Sequence, residues 1–434
     1  MLWGEGLHTA ANSRIHFSAS TSIETTIPGG ELVYGFGLLD RLYLRKGTFY
    51  IVTSTPSAFP QREHIIARPL DMGPDRDLSP TDKELQFIDP SEAATILGEQ
   101  ALTVEGFTLI AYDTEQFMHH FYHWWGEIIL GAWRVYSALT GPSLSARDTT
   151  APSFASRILL PHVFGQEWRD IPGLNAGLMR ATFPSTSIEN ADQWDDLAVL
   201  DNTFVFERAM IVCRVAAQTH GLSKSWHKMI SSTMAVNVSN TFWEPIRRTT
   251  VQNTIGYLPR LDSRGVIVSP PTVVSEMPFV TYIARQGSSR SLTDAYHQDL
   301  VRALKELEWS GLCQVYVAQM EKMSLTQQLE IMARSTILIG VHGNGLTHQL
   351  FMPPSPRSTV VEIFAPKGYV HDYAILARNL SHKHYAVWND TLQTFPDGEW
   401  YEGVKYPSDF HSQSLPVYAP VIADLIRQRL SEPL

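Results

Sequence analysis

The stretch from Thr336 to Phe364, TILIGVHGNGLTHQLFMPPSPRSTVVEIF, constrains the fold more than any other part of the chain. It opens on Ile337-Leu338-Ile339, an uncharged apolar run of the kind buried on both faces of a parallel sheet. Gly340-Val341-His342-Gly343-Asn344-Gly345 follows, and its glycines permit backbone angles that a Cβ forbids and let a ligand come close to the main chain. Leu346 to Met352 reads as a short helix stopped by Pro353-Pro354, and Val360 to Phe364 as the next strand. Strand, glycine loop, helix and strand together aim backbone N–H groups and a helix N-terminus at an anion. His342, which opens the loop, and Glu362, where a carboxylate near a strand end can accept bonds from a ribose, are the first candidate functional residues.

The flanking sequence repeats the alternation. Phe279 to Ala284 reads as a strand, with Arg285 and Arg290 in the loop behind it. Ser291 with Asp294 opens a helix through Trp309, Gln314 to Ala318 is a strand, and Ser324 with Gln327 caps a helix through Arg334. Such alternation gives a parallel sheet with right-handed crossovers, whose ligands bind beyond the carboxyl ends of the strands. Arg285, Arg290, His342 and the glycine loop all follow strand ends, so they should converge on one edge.

Nearer the N-terminus, residues 31–53 read as a hairpin turning at Gly47, and residues 54–100 as surface loop. The pair Asp75 and Asp77 has the D-x-D spacing used by many sugar transferases to hold a metal, but no strand leads into it and the match reads as chance. Residues 102–112 read as a strand or short hairpin, and Phe117 to Leu139 as a helix that puts His123 and Glu127 on one face at i, i+4. His119, His120 and His123 lie close together without a further ligand cluster, so no zinc site is expected. Trp168-Arg169-Asp170, with Asn175 behind it, suits sugar hydroxyls or phosphates, and an ordinary capped loop equally well. Phe204 to Ala217 reads as a strand entering a helix, and the Ser/Thr/Asn/Pro-rich region 231–278 as the connection between two domains.

GVHGNGLTHQLFM followed by VVEIF resembles the signature of glycosyltransferase family 61, G-x-H-G-A-G-L-T-N and then V-x-E. FYHWWGEIILG resembles that family's N-Y-Y-H-W-x-x-E-x-L helix, aligning His123, Trp124 and Glu127, and WRDIPGLN resembles a W-R-D-G-P-G-x-N segment of its fungal branch. The chain departs from the pattern at Asn344, where alanine is common, and at His348, where asparagine is common. The resemblance implies an α/β, GT-B-like fold of two Rossmann-like domains with a cleft between them. The boundaries expected are 1–270 for an acceptor-side domain, 271–415 for a nucleotide-sugar-binding domain and 416–434 for a C-terminal helix. It further implies an inverting transferase moving GlcNAc or xylose from a UDP-sugar to a glycan or glycoprotein acceptor. Direct displacement needs a base for the acceptor hydroxyl and neutralisation of the departing diphosphate. The catalytic candidates are His123, Glu127 and His342. The substrate-binding candidates are Arg285, Arg290, Gly343, Asn344, Gly345, Leu346, Thr347 and Glu362, with Trp168, Arg169, Asp170 and Asn175. Arginines and backbone donors can hold a diphosphate without metal, so no metal or other cofactor is expected. The alternative is a non-catalytic sugar- or nucleotide-binding relative of the same fold.

Composition closes off other classes. A net charge of −10 with no long basic run argues against nucleic acid or an anionic membrane as the main partner. No window approaches the roughly 18 apolar residues of a membrane helix. The start, MLWGEGLHTAANSRIHF, lacks the basic start and apolar core of a signal peptide. The resemblance nevertheless implies the lumen of the Golgi or endoplasmic reticulum, with membrane attachment only through an anchor absent from this chain. Sequons stand at Asn237, Asn379 and Asn389. Cys213 and Cys313 form neither a disulfide framework nor a zinc site, and their pairing is left open. A serine hydrolase is excluded by the lack of a G-x-S-x-G elbow.

Overall fold

The computed structural model describes residues 14–17, 22–140, 154–287, 289–394 and 404–433. The reading of the first residues, 1–13, lies outside them. Two large sheets carry the fold. The first is built from β1 (Arg14–His16), β2 (Phe36–Arg45), β3 (Thr48–Val52), β4 (Leu85–Ile88), β5 (Gln100–Ala111), β6 (Arg157–Leu159), β7 (Ser187–Glu189) and β8 (Thr203–Val212). Its order is β4-β3-β2-β8-β5-β6-β7, with β1 on β5. β2 and β3 form the expected hairpin, closed by Lys46 and Gly47 at positive φ, the geometry that favours glycine in a tight turn. From β8 to β7 the strands run parallel.

A small antiparallel pair, β9 (Arg260–Leu261) and β10 (Ile267–Ser269), precedes the second sheet. That sheet holds β11 (Phe279–Ile283), β12 (Gln314–Ala318), β13 (Ile337–Val341), β14 (Thr359–Ile363), β15 (Lys383–Trp388) and β16 (Thr391–Thr394). The order is β12-β11-β13-β14-β15-β16; all neighbours are parallel except β16, which closes the edge antiparallel. β11, β13 and β14 are buried at every residue, as the apolar strands of a helix-covered sheet should be; β14 alone of the three carries a charge-bearing residue, Glu362. The fold is therefore α/β with Rossmann-type parallel strand order, in line with a GT-B-like architecture. The chain leaves β11 toward β12 on one side and returns to β13 on the other. Strand order thus reverses between β11 and β13, and a crevice opens at such a point beyond the carboxyl ends.

Local signals mostly match. Ser324 and Gln327 form a reciprocal capping box on Leu325–Met332. The helix Asp294–Trp309 is capped by Thr293, not by Ser291 as the sequence suggested; the Thr293 hydroxyl accepts from Tyr296 N. Phe117 to Leu139 is not one α-helix. A wide π-helix, Tyr122–Ile129, runs into an α-helix, Leu130–Leu139. The stretch read as surface loop holds β4 and a short helix, Ala93–Leu97. The stretch read as a connection holds Glu244–Ile255, whose Pro245 sits in the first turn, where its missing N–H costs nothing.

That helix belongs to an apolar core continuous through both halves of the chain. Trp125 meets Phe351 edge-on at 6.2 Å, and Trp243 Nε1 donates to the Leu350 carbonyl at 2.8 Å. Gly126 lets the π-helix lie against Leu376, where a Cβ would stand within 3.3 Å. No helix among the described residues is long and apolar enough to cross a membrane. Cys213 and Cys313 are both buried and free.

Candidate active site

The crevice at the strand reversal leads into a cavity of about 470 Å³. One wall comes from the second sheet: Ile283, Arg285, Asn344, Gly345, Leu346 and His348. The opposite wall comes from the first half: His119, His120, Phe121 and the loop Asp170–Leu174. Apolar walls with a few polar groups at fixed positions are the usual build of a small-molecule site.

The glycine loop is shaped around an arginine. Gly343 has φ 155° and ψ 173°, a region essentially reserved for glycine. Arg285 Nη1 lies where a Cβ on this residue would be, and donates to the His342 carbonyl at 3.1 Å. Sequence reasoning assigned Gly343 to ligand approach; its first role here is to clear the guanidinium. Burial, helped by the neighbouring Arg290, pulls the Arg285 guanidinium below its ordinary range. Arg290 has its guanidinium 6.0 Å over the Phe410 ring. Two cations held together near the loop suit an anion with more than one charge. Asn344 Oδ1 accepts from Tyr122 N at 3.3 Å, tying the loop to the first half. His348 spans the loop and the preceding helix, with Nδ1 2.9 Å from the Gly345 carbonyl and Nε2 2.8 Å from Gln328 Oε1. Burial lowers it to a pKa of about 4, so the ring is neutral and its single N–H donates to one of these two oxygens.

Three expectations need correction. Glu362 does not face a ligand. It is fully buried, and its two oxygens are taken by His342 Nδ1 at 2.5 Å and His384 Nε2 at 2.7 Å, because β14 lies between helix-covered faces. Burial pushes its carboxyl up to about 7 despite His342. His342 was expected to reach the cavity; instead its side chain is 9% exposed, stacked on Phe364 and close to Tyr373 and Phe410. Thr347 is fully buried, facing inward from its 3-10 helix, Asn344–Phe351.

The Trp168–Asn175 segment is largely self-contained. Asp170 Oδ1 accepts from Asn175 N at 2.6 Å, and Asn175 Nδ2 donates to the carbonyls of Trp168 and Met118. Asn175 is fully buried and Trp168 packs on Trp124, so neither is placed to touch a ligand; their polar groups cap the loop that frames the cavity. Arg169 is exposed, its guanidinium 5.1 Å from the Trp168 ring. Of the four candidates in this segment, Asp170 lines the cavity, beside Ile171, Pro172 and Leu174. Asp75 and Asp77 lie in an exposed turn and do not line the cavity; Asp77 bonds Ser79 N and pairs with Arg68.

His123 and Glu127 are brought together. His123 Nδ1 is 2.6 Å from Glu127 Oε2, the ring 23% exposed and the carboxylate 1%. In the wide π-helix, residues four apart stand nearly in line, and such turns recur at functional sites. Burial raises the Glu127 carboxyl, but Arg214 and His123 outweigh it and hold it well below the carboxylate range. An ionised Glu127 puts the proton on His123 Nδ1 and leaves Nε2 with a lone pair, the arrangement of a histidine base oriented by a carboxylate.

Sequence reasoning missed three charged residues. Arg214 Nη1 donates to Glu127 Oε2 at 2.7 Å. Lys228 Nζ of the first half pairs with Asp372 of the second at 2.9 Å, the side chains 12% and 14% exposed. Arg214 had a signal, being a charge immediately behind a buried strand; Lys228 and Asp372 sit in no motif.

A family model described as Glycosyltransferase 61 matches residues 121–361, more than half of the chain. The chain is 32% identical over 120 residues to the EGF domain-specific O-linked N-acetylglucosamine transferase of Gallus gallus, covering 28% of this chain and 21% of that protein. The Bos taurus protein of the same description is 33% identical over 117 residues, 27% of this chain and 21% of the relative. The matched stretch thus spans about a fifth of the length of these curated relatives.

Proposed function

The chain belongs to glycosyltransferase family 61, and from that premise we propose that it moves a sugar, GlcNAc or xylose, from a UDP-sugar to a glycan or glycoprotein acceptor with inversion. The observation that carries this reading is the cavity at the reversal of the second sheet, where Arg285 and the loop Asn344–Leu346 form one wall. Anionic ligands of doubly wound sheets bind at that position. In this reading the nucleotide lies against the second sheet, and the diphosphate meets Arg285, Arg290 and loop N–H groups. Those groups offset the charge that develops on the leaving diphosphate, without a metal. His123, on the first half, takes the acceptor proton at Nε2 while Glu127 holds its ring. Asp170 and Leu174 frame the opening on the same half. We place the nucleotide-sugar site in residues 271–415 and the base in residues 1–270, working in the secretory lumen.

Calorimetric titration with UDP tests the donor site. Micromolar binding lost by about 1.5–3 kcal/mol in Arg285→Ala supports it, as expected for removal of a charge-assisted bond. Unchanged affinity in a folded Arg285→Ala protein refutes the phosphate assignment.

A further inference from the structure

Three groups meet at a single oxygen. Glu127 Oε2 receives both His123 Nδ1 and Arg214 Nη1, while Oε1 has no hydrogen-bond partner among the described residues. Arg214 is itself fixed: its backbone N–H donates to Asp113 Oδ1 at 2.7 Å, Nε lies 3.9 Å from Asp113 Oδ2, and its guanidinium is 4.5 Å over the Phe117 ring. The side chains are 6% exposed for Arg214, 1% for Glu127 and 23% for His123. The carboxylate is therefore the most buried of the three, with the guanidinium and the more exposed imidazole both bonded to its one oxygen.

We propose that Arg214 is a positioning residue for the transfer step, sharing the Glu127 oxygen with His123 and so fixing both the ring orientation and the basicity of Nε2. This rests on His123 as the acceptor base. Glu127 is faced by His123 and Tyr122 from its own helix, by Arg214 and Asp113 at the ends of β8 and β5, by Lys228, and by Asp372 from the second half. Lys228 and Asp372 are paired with each other, so Arg214 is the cation in direct contact with the carboxylate. Without it, the full Glu127 charge acts on the imidazole and favours the imidazolium, which cannot take a proton. With it, part of that charge is offset, and the pull toward the imidazolium is weaker.

The test is the acid limb of kcat/KM against pH for Arg214→Met, with an NMR titration of the His123 ring alongside. Both should move to higher pH by about one unit, as loss of an adjacent charge produces. Arg214→Lys keeps the charge and should stay near wild type. Burial pushes the Asp113 carboxyl up to about 6; where it is ionised, Asp113→Asn removes an anion beside Arg214, so both readings should move the other way, and a merely structural role gives no such reversal of sign. A folded Arg214→Met protein with both readings at the wild-type position overturns the proposal. If Arg214→Met does not fold, an unmoved Asp113→Asn overturns it instead. The ring titration needs no turnover: a wild type without transferase activity refutes His123 as a transferase base, while the shift in the ring still reads the Arg214 contact.

Discussion

At the scale of single residues, the account turns on which histidine can accept a proton. His123 has a carboxylate-held Nδ1 and a partly exposed ring; His342 has its Nδ1 on a buried glutamate and aromatic rings around it. His123→Ala should therefore lower kcat by about 10²–10⁴-fold with UDP affinity unchanged, the cost of a lost general base. Wild-type kcat in a folded His123→Ala protein would remove it from the mechanism. His342→Ala should instead lower the melting temperature, because it leaves Glu362 buried with one partner fewer; a wild-type melt would contradict that. Glu127 contributes to the acid side of the pH dependence of stability. Its folded pKa is depressed, so its stabilisation is present above the ordinary value of 4.5 and is lost as pH falls below it, where the unfolded chain binds the proton. Melting temperature should drop with acid below pH 4.5, and the slope should flatten in Glu127→Gln. An identical slope in both proteins would show that Glu127 is not held ionised. The i, i+4 spacing of His123 and Glu127 was legible in the sequence. Arg214, Lys228 and Asp372 were not, since their partners come from distant parts of the chain and spacing carries no trace of them.

At the scale of elements, the glycine loop and the arginine behind β11 act as one piece. Gly343 exists in a backbone state that a side chain would disfavour, and Arg285 fills the space a Cβ would need. Gly343→Ala should therefore displace the guanidinium and weaken UDP binding about as much as Arg285→Ala. The double variant should be little worse than either single one, because both remove the same contact. Additive losses in calorimetry would mean that Gly343 contacts the ligand on its own account. The parallel strands and the Ser324 cap could be read directly, because burial on two faces and a capping box each leave a local mark. The π-helix and the Glu244–Ile255 helix could not. The first packs Gly126 against Leu376 of the second half, a contact that local sequence does not reveal, and the second is too polar on its own to stand out from a linker.

At the scale of the whole molecule, what positions the chemistry is the reversal between β11 and β13 together with the apolar core shared by both halves. Sequence could place Arg285, Arg290 and the loop at strand ends. It could not foresee that Glu362 would be spent on two histidines, because an acid in an apolar strand looks the same whether it faces a ligand or another side chain. The diphosphate in this account is held by arginines and backbone N–H groups, so transfer should persist in EDTA. Complete loss in EDTA, restored by Mn²⁺, would mean that the leaving group is held by metal and that Asp75 and Asp77 need a role. The central claim is that a UDP-sugar is the donor and a glycan or glycoprotein the acceptor. It is tested most directly by incubating the protein with a panel of UDP- and GDP-sugars and glycan or glycopeptide acceptors, in EDTA, and reading products by mass spectrometry. The account predicts UDP release matched by a gain of one N-acetylhexosamine or one pentose on the acceptor, abolished by His123→Ala. UDP binding with no mass gain on any acceptor would contradict it and identify the chain as a non-catalytic relative.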